Sequence, residues 1–285
     1  MRDRLMAALS PYHLQVLVPD YTFMLTSALI LGAIMTVRRA RRHGLSAEDA
    51  YQAVFYTLLA AFPGARVVYA LQYWHQFSQH PLELVNPSRG GLALYGGLLG
   101  MLLGPALYLG TRRVSLGRYF DATAPAFAFG LFLGRTGCFL AGCNWGRSTD
   151  LPWAVCFPPP HHAYAQHLKA GLIAPGAPLS LPVHPTQLYE ALFGLLMFGS
   201  TVWWLKKEYP AKEQPWSPTV PGKVFLWAMS AYAVFRFSVE FVRADAQGLQ
   251  AGPLTVAQAI SLAVLGASQI TFWIRRGLSA ADRPR

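Results

Sequence analysis

The chain contains seven apolar stretches, each long enough to cross a bilayer as an α-helix. They cover residues 21–37, 50–73, 92–110, 119–140, 186–205, 224–242 and 254–274. Hydrophobic residues make up 53% of the 285 and charged residues only 13%, with a mean hydropathy of +0.29. This composition excludes an ordinary soluble domain. The sequence therefore predicts an all-α integral membrane protein with seven transmembrane helices.

Basic residues gather in alternate connections between these stretches. They are Arg38, Arg39, Arg41 and Arg42; Arg112, Arg113 and Arg118; Lys206, Lys207, Lys212 and Lys223; and Arg275, Arg276, Arg283 and Arg285. Because cytoplasmic loops are enriched in Lys and Arg, we expect a cytoplasmic carboxyl terminus and, with seven spans, an external amino terminus. The net charge of +11 is then explained by topology and anionic membrane lipid, and it requires no nucleic acid partner.

One long extramembrane insert, residues 143–184, separates the fourth and fifth spans on the predicted outer face. It is rich in proline and histidine, and such a segment either orders as a compact cap or stays a mobile loop. No internal repeat, cleavable signal peptide or composition break is evident, so residues 1–285 are expected to form one polytopic membrane domain.

Three cysteines lie near this outer face: Cys138, Cys143 and Cys156. Cys143 and Cys156 are candidates for a disulfide, although connectivity cannot be deduced from sequence. A metal site near His161 and His162 is the competing hypothesis, but the spacing that metal ligands usually show is missing, so no metal is predicted. Cys138 is expected to be a small buried residue.

Three arginines interrupt the apolar stretches: Arg66, Arg135 and Arg236. A cation at membrane depth costs roughly 2.5 to 3.5 kcal/mol on insertion scales, so it usually faces a polar cavity or an anionic partner. A snorkelling side chain is the alternative for Arg135. Arg236 and Glu240 are four residues apart, so they can also form a structural ion pair along one helical turn.

Two further segments carry candidate site residues. The first, residues 89–100, contains Tyr95, Gly96 and Gly97, and its glycines permit close approach of a lipid head group or, alternatively, tight helix packing. The second begins the fifth span at His184, where Gln187 and Glu190 share one helix face. His184 is expected either to shuttle a proton or to cap the helix.

Taken in order, these motifs resemble the bacterial prolipoprotein diacylglyceryl transferase family. The resemblance covers most of the chain and is carried by Tyr21 ahead of Arg38-Arg39-Ala40 and by residues 63–69, 90–97, 134–147, 149–154, 184–190, 236–245 and 254–258. It implies transfer of an sn-1,2-diacylglyceryl group from phosphatidylglycerol to the lipobox cysteine thiol of a prolipoprotein, with release of glycerol phosphate. It also implies a bacterial inner-membrane location and no cofactor.

The resemblance also assigns roles to individual residues. Arg135 and Arg236 are expected to bind the phosphate, and Glu240 to orient Arg236. Tyr21, Arg66 and Gly146 fall on positions that shape the lipid pocket in the family. These assignments fit a reaction in which negative charge builds on a leaving phosphate.

The chain departs from the family pattern at two places. Some members have histidine where Tyr95 stands, and tyrosine is ordinarily a poor base at neutral pH. The proton acceptor therefore remains open among His184, Tyr95 and a phosphate oxygen. The family signature also has asparagine, asparagine and glutamate where this chain has Cys138, Ala141 and Cys143. Either Asn144 and its neighbours compensate, or the chain is a divergent paralogue.

Two functional classes follow from the sequence. An enzyme would release glycerol phosphate when given a lipobox peptide. A transporter or lipid-binding membrane protein would hold anionic lipid through the same arginines without turnover. The sequence favours the enzyme, because the spans show no related half-repeats of the kind that many transporters contain.

Overall fold

The fold is known from a computed structural model that describes residues 21–79, 91, 93–209, 220–244, 250–251 and 253–281. Its helices are α1 (Tyr21–Arg42), α2 (Ala47–Gln72), α3 (Trp74–Gln79), α4 (Leu94–Thr111), α5 (Leu116–Ala141), α6 (His162–Lys169), α7 (Thr186–Glu208), α8 (Lys223–Val239) and α9 (Val256–Ala281). A 3-10 turn covers Glu240–Val242, and a short antiparallel hairpin joins β1 (Gln250–Ala251) to β2 (Leu254–Thr255), pairing Gln250 with Thr255.

Several sequence predictions concern residues outside this description. They are Arg89, Gly90 and Leu92 of the glycine-rich segment, Lys212 and Asp245 in two connections, and Arg283 and Arg285 at the carboxyl end.

Six helical segments are long and apolar enough to cross a membrane: Tyr21–Arg42, Ala47–Gln72, Leu116–Ala141, Thr186–Glu208, Lys223–Val242 and Val256–Gly277. They coincide with six of the seven predicted spans and support the prediction of an all-α membrane protein. The remaining predicted span, 92–110, coincides with α4, but it begins at Leu92, outside the described residues. The seventh span therefore stays a prediction.

The described residues form two compact units. The smaller unit covers Ala33–Thr123, and the larger unit covers Met1–Gly32 with Ala124–Arg285 as far as they are described. Each unit is described by itself below.

In the smaller unit, α2 and α4 pack backbone against backbone. A Cβ atom added to Gly96 would lie 2.2 Å from the Gly64 carbonyl oxygen, and one added to Gly100 would lie 2.0 Å from the Ala60 carbonyl oxygen. Only glycine permits this approach, because any side chain would overlap the facing helix. Helix α2 begins at a cap in which the Ser46 hydroxyl accepts the Asp49 backbone N–H at 2.9 Å.

The larger unit packs α5, α7 and α8 around small and apolar side chains. Its core contains Ala124, Ala128, Met197, Leu205, Val224 and Ala228. Phe193 of α7 stacks on Phe235 of α8, with ring centroids 4.2 Å apart. This stack fixes the rotation of α7 relative to α8, and so it positions the polar residues near their ends.

The insert between α5 and α7 is ordered, as in the compact-cap alternative. Trp145, Phe157, Ala163 and Val183 form its own small core, and Val183 pairs with Ser148 and Val155 through isolated β-bridges. Because this core buries aromatic side chains, the insert has a hydrophobic reason to hold one conformation.

Candidate functional site

Arg135, near the end of α5, forms an ion pair inside the larger unit. Its Nη2 lies 2.9 Å from Oε2 of Glu190 on α7, and the Tyr232 side chain of α8 hydrogen bonds to the same guanidinium. The Arg135 side chain keeps 16% of its surface exposed, whereas that of Glu190 keeps none. The arginine therefore reaches the edge of the site while its counter-ion lies behind it.

Glu190 also binds a second arginine. Its Oε1 accepts a hydrogen bond from Arg243 Nη1 at 3.2 Å. Its Oε2 receives no well-directed hydrogen bond from the described residues despite the short distance to Arg135. The contact between Glu190 and Arg135 is therefore mainly electrostatic.

Arg236 and Glu240 form the ion pair that their spacing predicts. Arg236 Nη1 donates to Glu240 Oε2 at the end of α8. The other oxygen, Oε1, accepts from the Thr255 hydroxyl at 2.8 Å. Arg243 Nε lies 3.7 Å from Glu240 Oε2 and so approaches this carboxylate as well.

These five charged residues are called the arginine–glutamate cluster: Arg135, Glu190, Arg243, Glu240 and Arg236. Three guanidinium groups face two carboxylates, so the cluster as defined carries one excess positive charge. The two carboxylate side chains are 0% and 2% exposed, while Arg135 and Arg236 keep 16% and 14%. The accessible part of the cluster is thus cationic, and it suits an anionic group such as a phosphate.

Asn144 connects the cluster to the turn that follows α5. Its Oδ1 accepts from Arg243 Nη2 at 2.8 Å, and its backbone oxygen accepts from the Thr186 hydroxyl at 2.7 Å. The residue has a left-handed φ of 58°, which asparagine tolerates better than most residues. Asn144 therefore holds Arg243 in place.

Gln187 anchors the first turn of α7 to the same region. Its Nε2 donates to the Cys143 carbonyl at 2.7 Å, and its side chain is fully buried. Gln187 and Glu190 share one helix face, as their spacing predicts, and both lie behind the exposed guanidinium groups. Both side chains are fully buried, so the described geometry gives them contacts that position their neighbours, and the substrate-binding role assigned to them from the sequence stays a prediction.

His184 does not cap α7 through its side chain. The helix begins after Pro185, which makes no side-chain cap hydrogen bond, and His184 Nδ1 lies 3.2 Å from the Tyr189 hydroxyl. Trp153 Nε1 donates to that hydroxyl at 2.8 Å. The side-chain capping alternative for His184 is therefore wrong, and the proton-transfer alternative stays a prediction.

Gly146 lies between two backbone segments. A Cβ atom there would lie 2.5 Å from the His184 Cβ and 2.7 Å from the Val242 carbonyl oxygen. The residue is required for close packing, and the lipid-pocket assignment that the family resemblance implies for it stays a prediction. Tyr21, in contrast, lies beside α5 at Gly137, near enough to interact electrostatically with Arg135.

Four predicted site residues, Arg66, Tyr95, Gly96 and Gly97, belong to the smaller unit. Arg66 is buried, and its Nη1 donates to the Gly91 carbonyl at 2.9 Å while its guanidinium lies 5.3 Å from the centre of the Phe77 ring. Gly96 is enclosed by α2, as in the helix-packing alternative. A Cβ atom added to Gly97 would make only ordinary van der Waals contacts, and Tyr95 is half-buried. Both residues therefore keep some accessible surface.

Arg243 is a member of the site that was not singled out from the sequence, and Asn144 was named there only as a residue that could compensate for departures from the family pattern. Arg243 follows Glu240 by three residues and Arg236 by seven, which is the spacing of one helix face. This spacing could have indicated Arg243 as a site residue. Asn144 carried no such signal, because its contact with Arg243 joins residues 99 apart in the chain.

Comparison with known proteins identifies a family that fits this geometry. The family model described as prolipoprotein diacylglyceryl transferase matches residues 11–274. The chain is 34% identical over 230 residues to a phosphatidylglycerol–prolipoprotein diacylglyceryl transferase of Bordetella avium, covering 79% of this chain and 77% of the relative.

Two other relatives bear the same name. The protein of Pseudoalteromonas translucida is 35% identical over 225 residues, covering 77% of this chain and 74% of the relative. The protein of Mannheimia succiniciproducens is 34% identical over 265 residues, covering 90% and 88%. The chain belongs to the prolipoprotein diacylglyceryl transferase family.

Proposed function

We propose that this chain transfers the sn-1,2-diacylglyceryl group of phosphatidylglycerol to the lipobox cysteine thiol of prolipoproteins. The family membership and the shared name of the relatives support this activity. The observation that carries the proposal at the level of residues is the arginine–glutamate cluster, whose buried carboxylates leave two guanidinium groups partly exposed.

In the proposed reaction, the cysteine sulfur attacks the carbon of the diacylglyceryl group that is bonded to the phosphate oxygen. A carbon–sulfur bond forms, the carbon–oxygen bond to phosphate breaks, and glycerol phosphate leaves with the bonding electrons. Arg135 and Arg236 are the catalytic residues in this proposal, because they offset the charge that grows on the leaving phosphate. The thiol proton passes to His184, to Tyr95 or to a phosphate oxygen.

The remaining cluster residues act as positioning residues. Glu190 and Glu240 pair with Arg135 and Arg236, whose side chains stay partly exposed. Arg243 occupies the inner side of both carboxylates, and Asn144 fixes Arg243. Such fixed polar surroundings reduce the reorganisation needed when charge develops. Tyr21, Arg66 and Gly146 are assigned to the lipid pocket through the family resemblance.

The proposed membrane topology has seven spans, an external amino terminus and a cytoplasmic carboxyl terminus in the bacterial inner membrane. Helix α4 suits the additional span because its leucines Leu98, Leu99, Leu102, Leu103 and Leu107 are exposed on the isolated chain, and lipid would cover them. The insert then faces outward, and membrane lipid and prolipoprotein are the expected partners, with no nucleic acid.

A lipid-binding protein or transporter is the alternative, and the relatives do not favour it. The test incubates the purified chain with phosphatidylglycerol and a lipobox peptide, then weighs the peptide by mass spectrometry and measures glycerol phosphate. We expect the peptide to gain one diacylglyceryl group with equal release of glycerol phosphate. The control peptide has serine in place of cysteine. Lipid binding with an unmodified cysteine peptide would overturn the proposal.

A further inference from the structure

The end of α5 brings two cysteine side chains together through its backbone. Gly142 follows the helix with a left-handed φ of 65°, and its N–H donates to the Phe139 carbonyl at 3.1 Å. The Cys143 N–H donates to the Cys138 carbonyl at 3.0 Å. These two bonds define a Schellman motif, in which the side chains of the first and last bonded residues regularly touch. In this chain both of those residues are cysteines.

Side-chain contacts confirm that the thiols converge. Asn144 Nδ2 lies 3.5 Å from Cys138 Sγ and 3.3 Å from Cys143 Sγ, so one amide group contacts both sulfurs. Cys143 Sγ also lies 3.6 Å from the Cys138 carbonyl oxygen. One nitrogen that approaches both sulfurs places the two thiols on the same side of the turn, and a disulfide between them requires a rotation of their side chains.

We propose that Cys138 and Cys143 form a reversible disulfide, so that the end of α5 is a redox-active dithiol site. This site adjoins the arginine–glutamate cluster through Asn144, but its redox chemistry does not depend on the transfer reaction. In the structure all three cysteines are in the thiol form, which is the reduced state of the proposed pair. The family pattern has asparagine and glutamate at these two positions, so the pair is one of the departures of this chain from that pattern.

The reaction needs a disulfide co-reactant, such as an oxidised small-molecule dithiol or a thiol–disulfide oxidoreductase. The Cys143 thiolate attacks one sulfur of that disulfide, forming a mixed disulfide and releasing one thiol. Cys138 then loses its proton and attacks Cys143 Sγ, which releases the second thiol. Two protein thiols are oxidised and one external disulfide is reduced to two thiols.

The environment of the two sulfurs fits this order of attack. Cys143 is partly exposed, whereas Cys138 is buried with 8% of its surface accessible. The pKa of the Cys143 thiol is lowered, first by a hydrogen bond from the Cys138 thiol, with burial opposing and the Asn144 amide adding to the decrease. A partly exposed thiolate is the better nucleophile for an external disulfide.

The sequence allows a direct test, because trypsin cleaves after Arg135 and Arg147 and so isolates Cys138 and Cys143 in one peptide, residues 136–147. Cys156 falls in a different peptide, residues 148–169. The full-length protein in detergent is equilibrated with oxidised or reduced dithiothreitol, quenched with acid, alkylated with iodoacetamide and digested.

Under oxidation we expect peptide 136–147 to lose both alkylations and to be lighter by two hydrogen atoms than the unalkylated reduced peptide. Excess reduced dithiothreitol should restore both alkylations. The Cys156→Ser variant should behave like the parent, and the Cys143→Ser variant should keep Cys138 alkylated under the same conditions. Full alkylation of peptide 136–147 in every oxidising buffer would overturn the proposal, and so would a cross-link between this peptide and peptide 148–169.

Discussion

Arg135 lies 2.9 Å from Glu190, and of the two side chains only the arginine keeps exposed surface. The carboxylate is held from behind by Arg243 at 3.2 Å. The buried Glu190 carboxylate is shared by Arg135 and Arg243. It therefore holds both guanidinium groups in the site but does not fully neutralise either of them. This arrangement explains how a cationic surface persists next to an apolar helix bundle.

Replacing Glu190 by glutamine should destabilise the larger unit strongly. The change leaves Arg135 and Arg243 without their common anion, and breaking a buried ion pair in this way typically costs about 3 to 5 kcal/mol. Thermal unfolding of the purified protein in detergent should show a clear decrease in Tm.

Glu208→Gln is the matched control for this experiment. Glu208 pairs with Lys223 at 2.6 Å, but these two side chains are 21% and 16% exposed. A partly exposed pair contributes about 1 kcal/mol or less, so its loss should lower Tm only slightly. Equal decreases in Tm for the two variants would contradict the special position of Glu190.

Gly100→Ala should weaken the packing of α2 against α4. The new methyl group would lie 2.0 Å from the Ala60 carbonyl oxygen, which is backbone and cannot rotate away. Overpacking of this kind costs about 1 to 3 kcal/mol. Differential scanning of the purified variant measures the effect.

Gly110→Ala is the control on the same helix, because a Cβ atom there meets no other described atom within 4 Å. Alanine favours a helix over glycine by roughly 0.5 to 1 kcal/mol, so this variant should be at least as stable as the parent. If the Gly100→Ala protein were as stable as the Gly110→Ala protein, α2 and α4 would not approach each other as closely as described.

His43, in the connection between α1 and α2, should make stability depend on pH. Burial lowers the pKa of its imidazole to about 3, and the charges of Arg39 and Arg118 act in the same direction, whereas its bond to the Arg118 carbonyl opposes them. The unfolded chain therefore binds the proton more readily than the folded chain. Stability from this residue is complete above about pH 6.5 and falls as the pH decreases toward 3, by at most about 1.4 kcal/mol per pH unit.

The His43→Gln variant isolates this contribution. Denaturant unfolding of parent and variant at several pH values between 7 and 4 should give a steeper loss of stability for the parent, since only the parent must protonate a buried imidazole. Parallel stability profiles would rule out His43 as the source of the pH dependence.

Spacing along the chain predicted the local part of this structure. Apolar length predicted the six helices that are long enough to cross a membrane, and the four-residue separation of Arg236 and Glu240 predicted their ion pair. Glu190 and Gln187 were expected on one face because three residues make nearly one helical turn.

The partners of Glu190, the environment of Gly96 and the core of the insert depend on contacts between distant segments. The spacing of residues along the chain does not encode such contacts. Glu190 is 53 residues from Arg243, so its choice of partner follows from how α7 packs against the end of α8. The choice between a lipid-facing and a helix-facing Gly96 likewise depends on α2. A compact insert also had no local signature, because its core joins Trp145 to Val183 across the whole segment.

The most direct test of the central claim is the rate of diacylglyceryl transfer from phosphatidylglycerol by the Arg135→Gln and Arg236→Gln variants. Glutamine keeps much of the side-chain volume but removes the charge. If the two guanidinium groups hold the leaving phosphate, kcat/KM for phosphatidylglycerol should fall about 100-fold or more in each variant. Arg276→Gln, which removes a cation lying over the Trp273 ring in α9, should retain the parent rate. Parent-like transfer by either cluster variant, with the protein folded, would contradict the account.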